Sequence, residues 1–215
     1  MPLLAALLAI SIVGSQVQDP PFLQDIIKFE AADAKNPPIK GGVVFVGSSS
    51  IVLWKTLRTD FPKHNVINRG FGGSQLSDSV RYAHRIVTPY EPSMVVLFAG
   101  TNDIAAGKSA ETVFADYKEF VGKVREKLPK IPIAYISISP APSRWDKIES
   151  IKKANSLIES YAREQKNLLF VNTFKHMLDD KGGPRPELFI GDQLHMNEKG
   201  YAIWKEVVGP ILPKN

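Results

Sequence analysis

Five short apolar runs recur along the 215-residue chain, spaced widely enough for a helix to fit between each pair: Val43–Val46, Val66–Ile67, Met94–Ala99, Ile133–Ile138 and Leu168–Val171. They are often β-branched and mostly apolar, without strict alternation, as strands read when a parallel sheet is covered on both faces. The segments between them, near 50–58, 75–87, 109–128 and 144–166, are amphipathic, and a last one lies at 198–208. Ahead of the first run, Phe22, Ile26, Ile27 and Phe29 carry helical spacing that stops at Asn36-Pro37-Pro38. Strand alternating with helix predicts an α/β fold, a three-layer α/β/α sandwich around a parallel sheet.

Five strands in flavodoxin-like order are expected. At 44% hydrophobic and 23% charged, the chain has enough apolar material for one sizeable core, so residues 21–215 read as a single domain. Residues 1–20 read as a leader. Leu3–Gly14 is apolar, too short to span a bilayer comfortably, and resembles the apolar region of a secretory signal, with Gly14-Ser15 at the cleavage point. No lysine or arginine precedes it, and no A-x-A site follows. The expectation is a secreted or periplasmic protein; a retained stretch would instead pack as an N-terminal helix of a cytoplasmic one.

The chain has no cysteine, which excludes disulfides, thiolate catalysis and cysteine zinc sites. Its formal charge is +5, but lysines such as Lys118, Lys123 and Lys127 are scattered along helical stretches. No Lys/Arg-rich block with interleaved aromatics supports nucleic-acid binding. The four histidines, His64, His84, His176 and His195, are too dispersed for a recognisable metal-ligand spacing.

Gly47-Ser48-Ser49-Ser50 follows the first apolar run directly. It reads as a buried strand breaking into a small-residue turn that opens a helix. A nucleophilic serine needs such a bend, with main-chain N–H groups at hand for developing negative charge. Taken alone, the turn could equally end a strand or cap a helix. A nucleophile at Ser49 requires a base, and His195 is the natural candidate, with Asp192 three residues earlier able to reach the other ring nitrogen. These two close the longest irregular piece, Thr173–His195. His84 lies inside a predicted helix, and His64 and His176 lack a comparable carboxylate. For the oxyanion, Gly73 in Asn68-Arg69-Gly70-Phe71-Gly72-Gly73 offers a main-chain N–H, and Asn102 in Gly100-Thr101-Asn102-Asp103 a side-chain amide. Each could singly be an ordinary turn residue. Segments 47–49, 69–73 and 100–102 all follow apolar runs closely, so they should gather at the carboxyl edge of the sheet, where α/β ligands bind.

With these blocks, FVGSSSI, NRGFGGS, GTND and GDQLH, the chain resembles the SGNH hydrolases, or GDSL-like esterases. It is most similar to the branch containing the catalytic subunits of platelet-activating-factor acetylhydrolase. The similarity runs from about residue 41 to 208. One block departs from the family: the usual Gly-Asp-Ser is Gly47-Ser48-Ser49, so Ser48 replaces an Asp with a supporting hydrogen-bond role. The resemblance implies a Ser-His-Asp hydrolase of small-molecule esters. Its triad would be Ser49, His195 and Asp192, and its oxyanion hole the Ser49 and Gly73 N–H groups with Asn102 Nδ2. It implies no metal and no cofactor.

An esterase of short acyl groups is the leading expectation, because no inter-strand segment looks long enough for a lid and an open site cannot cover a long chain. The alcohol half is expected to be polar, such as a sugar hydroxyl. A thioesterase or lysophospholipase would use the same machinery. A non-catalytic carbohydrate- or lipid-binding domain would leave the complete residue set without a role, and a phosphate-binding protein would leave Asp192 and His195 unexplained.

Overall fold

The computed structural model describes residues 19–214; the Leu3–Gly14 stretch of the expected leader lies outside them. The five apolar runs form strands β1 (Val43–Gly47), β2 (Ile67–Gly70), β3 (Met94–Phe98), β4 (Ile133–Ile136) and β5 (Leu168–Val171). All neighbours pair in parallel, and the order is β2-β1-β3-β4-β5, the flavodoxin-like order expected. Around the sheet lie helices α1 (Leu23–Lys35), α2 (Ser49–Val52), α3 (Leu57–Asp60), α4 (Leu76–Ile86), α5 (Thr101–Ala105), α6 (Ala110–Arg125), α7 (Ile148–Glu164) and α8 (Glu198–Val208).

The pleat divides each strand between two cores. Val44, Val46, Val95, Leu97, Ile133 and Tyr135 meet the apolar faces of α1, α4, α6 and α7. Val43, Phe45, Met94, Val96, Phe98 and Ile136 meet Trp54, Leu57 of α3 and Trp204 and Val208 of α8. Both faces are covered, which explains why these strands are apolar at every position; each fully buried Val, Ile or Phe contributes roughly 1.5–3 kcal/mol.

Two expectations need correction. The amphipathic segment at 50–58 is two short helices, with a turn between Leu53 and Thr56. The turn carries Trp54 into the second core, edge-on to Phe45 and Trp204. Its indole N–H still finds Asp60, 2.8 Å away, as a buried Trp usually does. The second strand also reaches further than its apolar run, through Asn68, Arg69 and Gly70, which had read as part of a loop. These polar positions stay in the sheet because each is satisfied. Asn68 Nδ2 donates to the Ile51 carbonyl at 2.7 Å. Arg69 Nη2 donates to both carboxylate oxygens of Asp33 of α1, at 2.5 and 2.7 Å, and Nε donates to the Tyr90 hydroxyl. Asn68 Oδ1 accepts the Gly70 N–H, and Arg69 donates to the Asn68 carbonyl, so side chains occupy main-chain groups of an edge strand that could otherwise pair with another chain.

In register, Gly47 lies opposite both Gly70 and Phe98. The first three strands therefore end level, and the residues after them emerge at one edge. β2 and β3 flank β1 on opposite sides, which places a topological switch point at the end of β1.

Candidate active site

Gly47 ends β1 with φ 147, and a Cβ there would lie 1.9 Å from the Phe98 carbonyl oxygen. Only glycine lets the two strand ends close on each other. Ser48 N–H then donates to that carbonyl, and the Ser48 carbonyl accepts from Ile51 and Val52, so Ser49 becomes the first residue of α2. From α8, the Tyr201 hydroxyl donates to the Ser50 carbonyl at 2.8 Å and pins the bend from outside. Of the three adjacent serines, Ser49 is the one with its Oγ on a histidine: His195 Nε2 is 2.8 Å away.

His195 Nδ1 lies 2.5 Å from Asp192 Oδ2. An ionised carboxylate only accepts, so Nδ1 carries the proton, and Nε2 of the neutral ring is left to accept from the Ser49 hydroxyl. The other Asp192 oxygen accepts the N–H groups of Leu194 and His195, both at 2.9 Å. Burial pushes the Asp192 carboxyl up, but the His195 N–H and ring and the Leu194 N–H outweigh it and hold the pKa at about 2. The loop that carries this pair is folded onto its own main chain. Ile190 N–H donates to the His195 carbonyl, Ser143 N–H to Gln193, and Asn197 N–H to Leu188. Asn197, the N-cap of α8, accepts from Lys199 and Gly200 and donates to Glu187 and Phe189 carbonyls.

Gly73 has φ 82 with open space where a Cβ would point, so the conformation rather than crowding calls for glycine. Among the described residues, neither the Ser49 nor the Gly73 N–H has a hydrogen-bond partner. Asn102, the second residue of α5, donates one Nδ2 hydrogen to the Ser74 carbonyl at 2.9 Å and keeps one in reserve. The hydroxyl, the ring and this amide share a cavity of about 10 Å³ closed by Phe98, Thr101, Ala141 and Leu194. Ser49, Asn102 and His195 border this cavity, whereas Gly73 and Asp192 do not; Ser49 and Asn102 open short helices after β1 and β3, and the other three lie on loops. His84 is instead paired with Glu126 on the surface, and His64 and His176 do not border the cavity. Among the described residues no cluster of three or more His, Asp or Glu could hold a metal.

The family model described as GDSL-like Lipase/Acylhydrolase matches residues 47–203. The chain belongs to this family. It is accordingly an ester-hydrolysing enzyme, and no helix among its described residues is long and apolar enough to cross a membrane. Solved structures of similar fold include a GDSL-like lipase from Bacteroides thetaiotaomicron, 24% identical, with TM-score 0.72, covering 86% of this chain and 96% of that one. A candidate acylhydrolase from Bacteroides fragilis is 23% identical, with TM-score 0.78 over 90% and 96% of the two chains. A carbohydrate esterase family 3 protein from Talaromyces cellulolyticus is 18% identical, with TM-score 0.62 over 79% and 95%. No curated protein matches the sequence.

Asp103 and Lys108, which tie the helix bearing Asn102 to the start of α4, are not singled out by the sequence. The cue in the sequence is the carboxylate itself, four residues after the third apolar run and directly ahead of the apolar Ile104-Ala105-Ala106.

Proposed function

We propose that this GDSL-like enzyme is a serine esterase of short, acetyl-type esters, with Ser49 as nucleophile, His195 as general base and acid, and Asp192 as the group that orients the imidazole. The observation that carries the reading is the continuous chain from Ser49 Oγ through His195 to Asp192, at 2.8 and 2.5 Å. His195 Nε2 takes the Ser49 proton as Oγ attacks the ester carbonyl. The negative oxygen is received by the Ser49 and Gly73 N–H groups and the free Asn102 Nδ2 hydrogen. The C–O bond then breaks, the alcohol leaves with the proton from His195, and water repeats the sequence to release the acid.

The size of the cavity supports a short acyl group. At about 10 Å³ it offers the space of roughly one water molecule, and so of a methyl group. A longer chain would stay in water and forgo about 0.8 kcal/mol per uncovered methylene. A sugar alcohol half is supported by the carbohydrate esterase among the neighbours of the fold. The platelet-activating-factor acetylhydrolase branch rests on the four sequence blocks, and export on the Leu3–Gly14 stretch. For p-nitrophenyl esters from C2 to C12, kcat/KM should peak at C2–C4 and vanish in Ser49→Ala. A maximum at C8 or beyond would contradict the acyl assignment.

A further inference from the structure

Asn102 on α5 and Gly73 on the loop after β2 are separate elements, and something must hold their relative positions to a fraction of an ångström if both are to bind one oxygen. The Ser74 carbonyl that Asn102 grips is one tie. A second tie starts at the next residue. The Asp103 side chain is completely buried, and both its oxygens accept the N–H of Leu76, at 3.2 and 3.1 Å. Leu76 is the first residue of α4, where the loop bearing Gly73 ends.

A buried carboxylate needs a counter-charge, and local folding brings it one. After α5, Gly107 at φ 89 reverses the chain, and the Lys108 N–H returns to the Asp103 carbonyl. Lys108 Nζ then lies 2.9 Å from Asp103 Oδ1, 2.8 Å from Asp116 Oδ2 of α6 and 3.1 Å from Ser77 Oγ of α4. One ammonium thus joins α4, α5 and α6 beneath the two donor segments. Burial pushes the Asp103 carboxyl up, opposed by Lys108 and the Leu76 N–H. Burial works to lower the Lys108 pKa, but Asp116 and Asp103 outweigh it and hold the ammonium charged.

We infer that Asp103 and Lys108 are positioning residues of the oxyanion hole: the ion pair fixes the Gly73 loop and Asn102 relative to each other, and so acts on the transition state through them. The inference rests on the oxyanion-hole assignment made above. Neither side chain borders the cavity, so neither is expected to touch substrate. A small displacement of either donor is enough to slow the reaction, since a misplacement of about 1 Å can cost on the order of 10²-fold.

The test is steady-state hydrolysis of p-nitrophenyl acetate by full-length variants. Lys108→Met should lower kcat by about 10- to 100-fold with KM within about twofold. Lys108→Arg should restore most of kcat. Asp116→Asn, which leaves the Asp103 pair in place and keeps the fold if Lys108→Met does not, should lower kcat a few-fold with KM again unmoved. In an Asn102→Ala background Lys108→Met should cost clearly less than in wild type, because one of the two donors whose relative position it fixes is gone. Wild-type kcat in Lys108→Met or Asp116→Asn, losses that appear in KM, or full additivity with Asn102→Ala would each overturn the inference while leaving the esterase reading intact. Absence of turnover by the wild type would overturn both.

Discussion

Asp192, of the proposed triad, and Asp103, next to the proposed donor Asn102, both accept nearby main-chain N–H groups, yet their surroundings oppose each other. Asp192 is 43% exposed, and its bonds come from residues two and three further along the chain. Asp103 is fully buried, and its bonds come from Leu76, the first residue of α4, and from a lysine folded back onto it. Hydrogen bonds hold the first carboxyl low, whereas burial pushes the second up. The acid–base arm is therefore assembled by local sequence and tolerates water. The donor arm is assembled by tertiary contacts and depends on a counter-charge. Damage to the first should stay chemical, and damage to the second should spread through geometry.

The largest effect should come from cutting the acid–base arm. His195→Ala should reduce kcat by on the order of 10⁴–10⁶, and Asp192→Asn by less, about 10⁴, because the Asp orients the ring without taking its proton. Thermal unfolding curves should differ little from wild type, as the loop keeps its main-chain bonds. A His195→Ala variant as active as wild type would move the base elsewhere and dissolve the contrast. On the donor arm, Asn102→Ala should lower kcat by on the order of 10²–10³ with KM nearly constant. A change confined to KM would make Asn102 a ground-state contact and leave the oxyanion to main-chain donors.

Strands β1 and β3 were legible because a strand covered on both faces cannot afford a polar residue. The same rule hid the end of β2, where Asn68 and Arg69 violate it and are repaired by Ile51, Asp33 and Tyr90. The break in the 50–58 helix depends on where Trp54 finds room among Phe45, Phe61 and Trp204, a fact of packing that periodicity does not encode. At the site, Asp192 and His195 could be paired by spacing alone because their contact is local. Lys108 could not, since its three partners lie 5, 8 and 31 positions away and a lysine beside a glycine turn looks like solvent-facing charge.

The smallest effect concerns acid. The folded pKa of Asp192, about 2, lies below the ordinary value of about 3.9. Its contribution to stability is therefore complete above the ordinary value and lost as pH falls through the folded one. That contribution is modest because the group is largely exposed. Melting temperatures of wild type and Asp192→Asn should differ slightly at pH 5 and converge by about pH 2; a gap that widens below pH 4 would mean the carboxylate is not held by these bonds.

The most direct measurement is the site of covalent capture. Treated with a serine-directed phosphonate and digested with trypsin, the protein should yield one modified peptide between Lys40 and Lys55. Fragmentation should place the adduct on Ser49, and His195→Ala should abolish labelling. An adduct on Ser48 or Ser50, or labelling that survives loss of His195, would contradict the account.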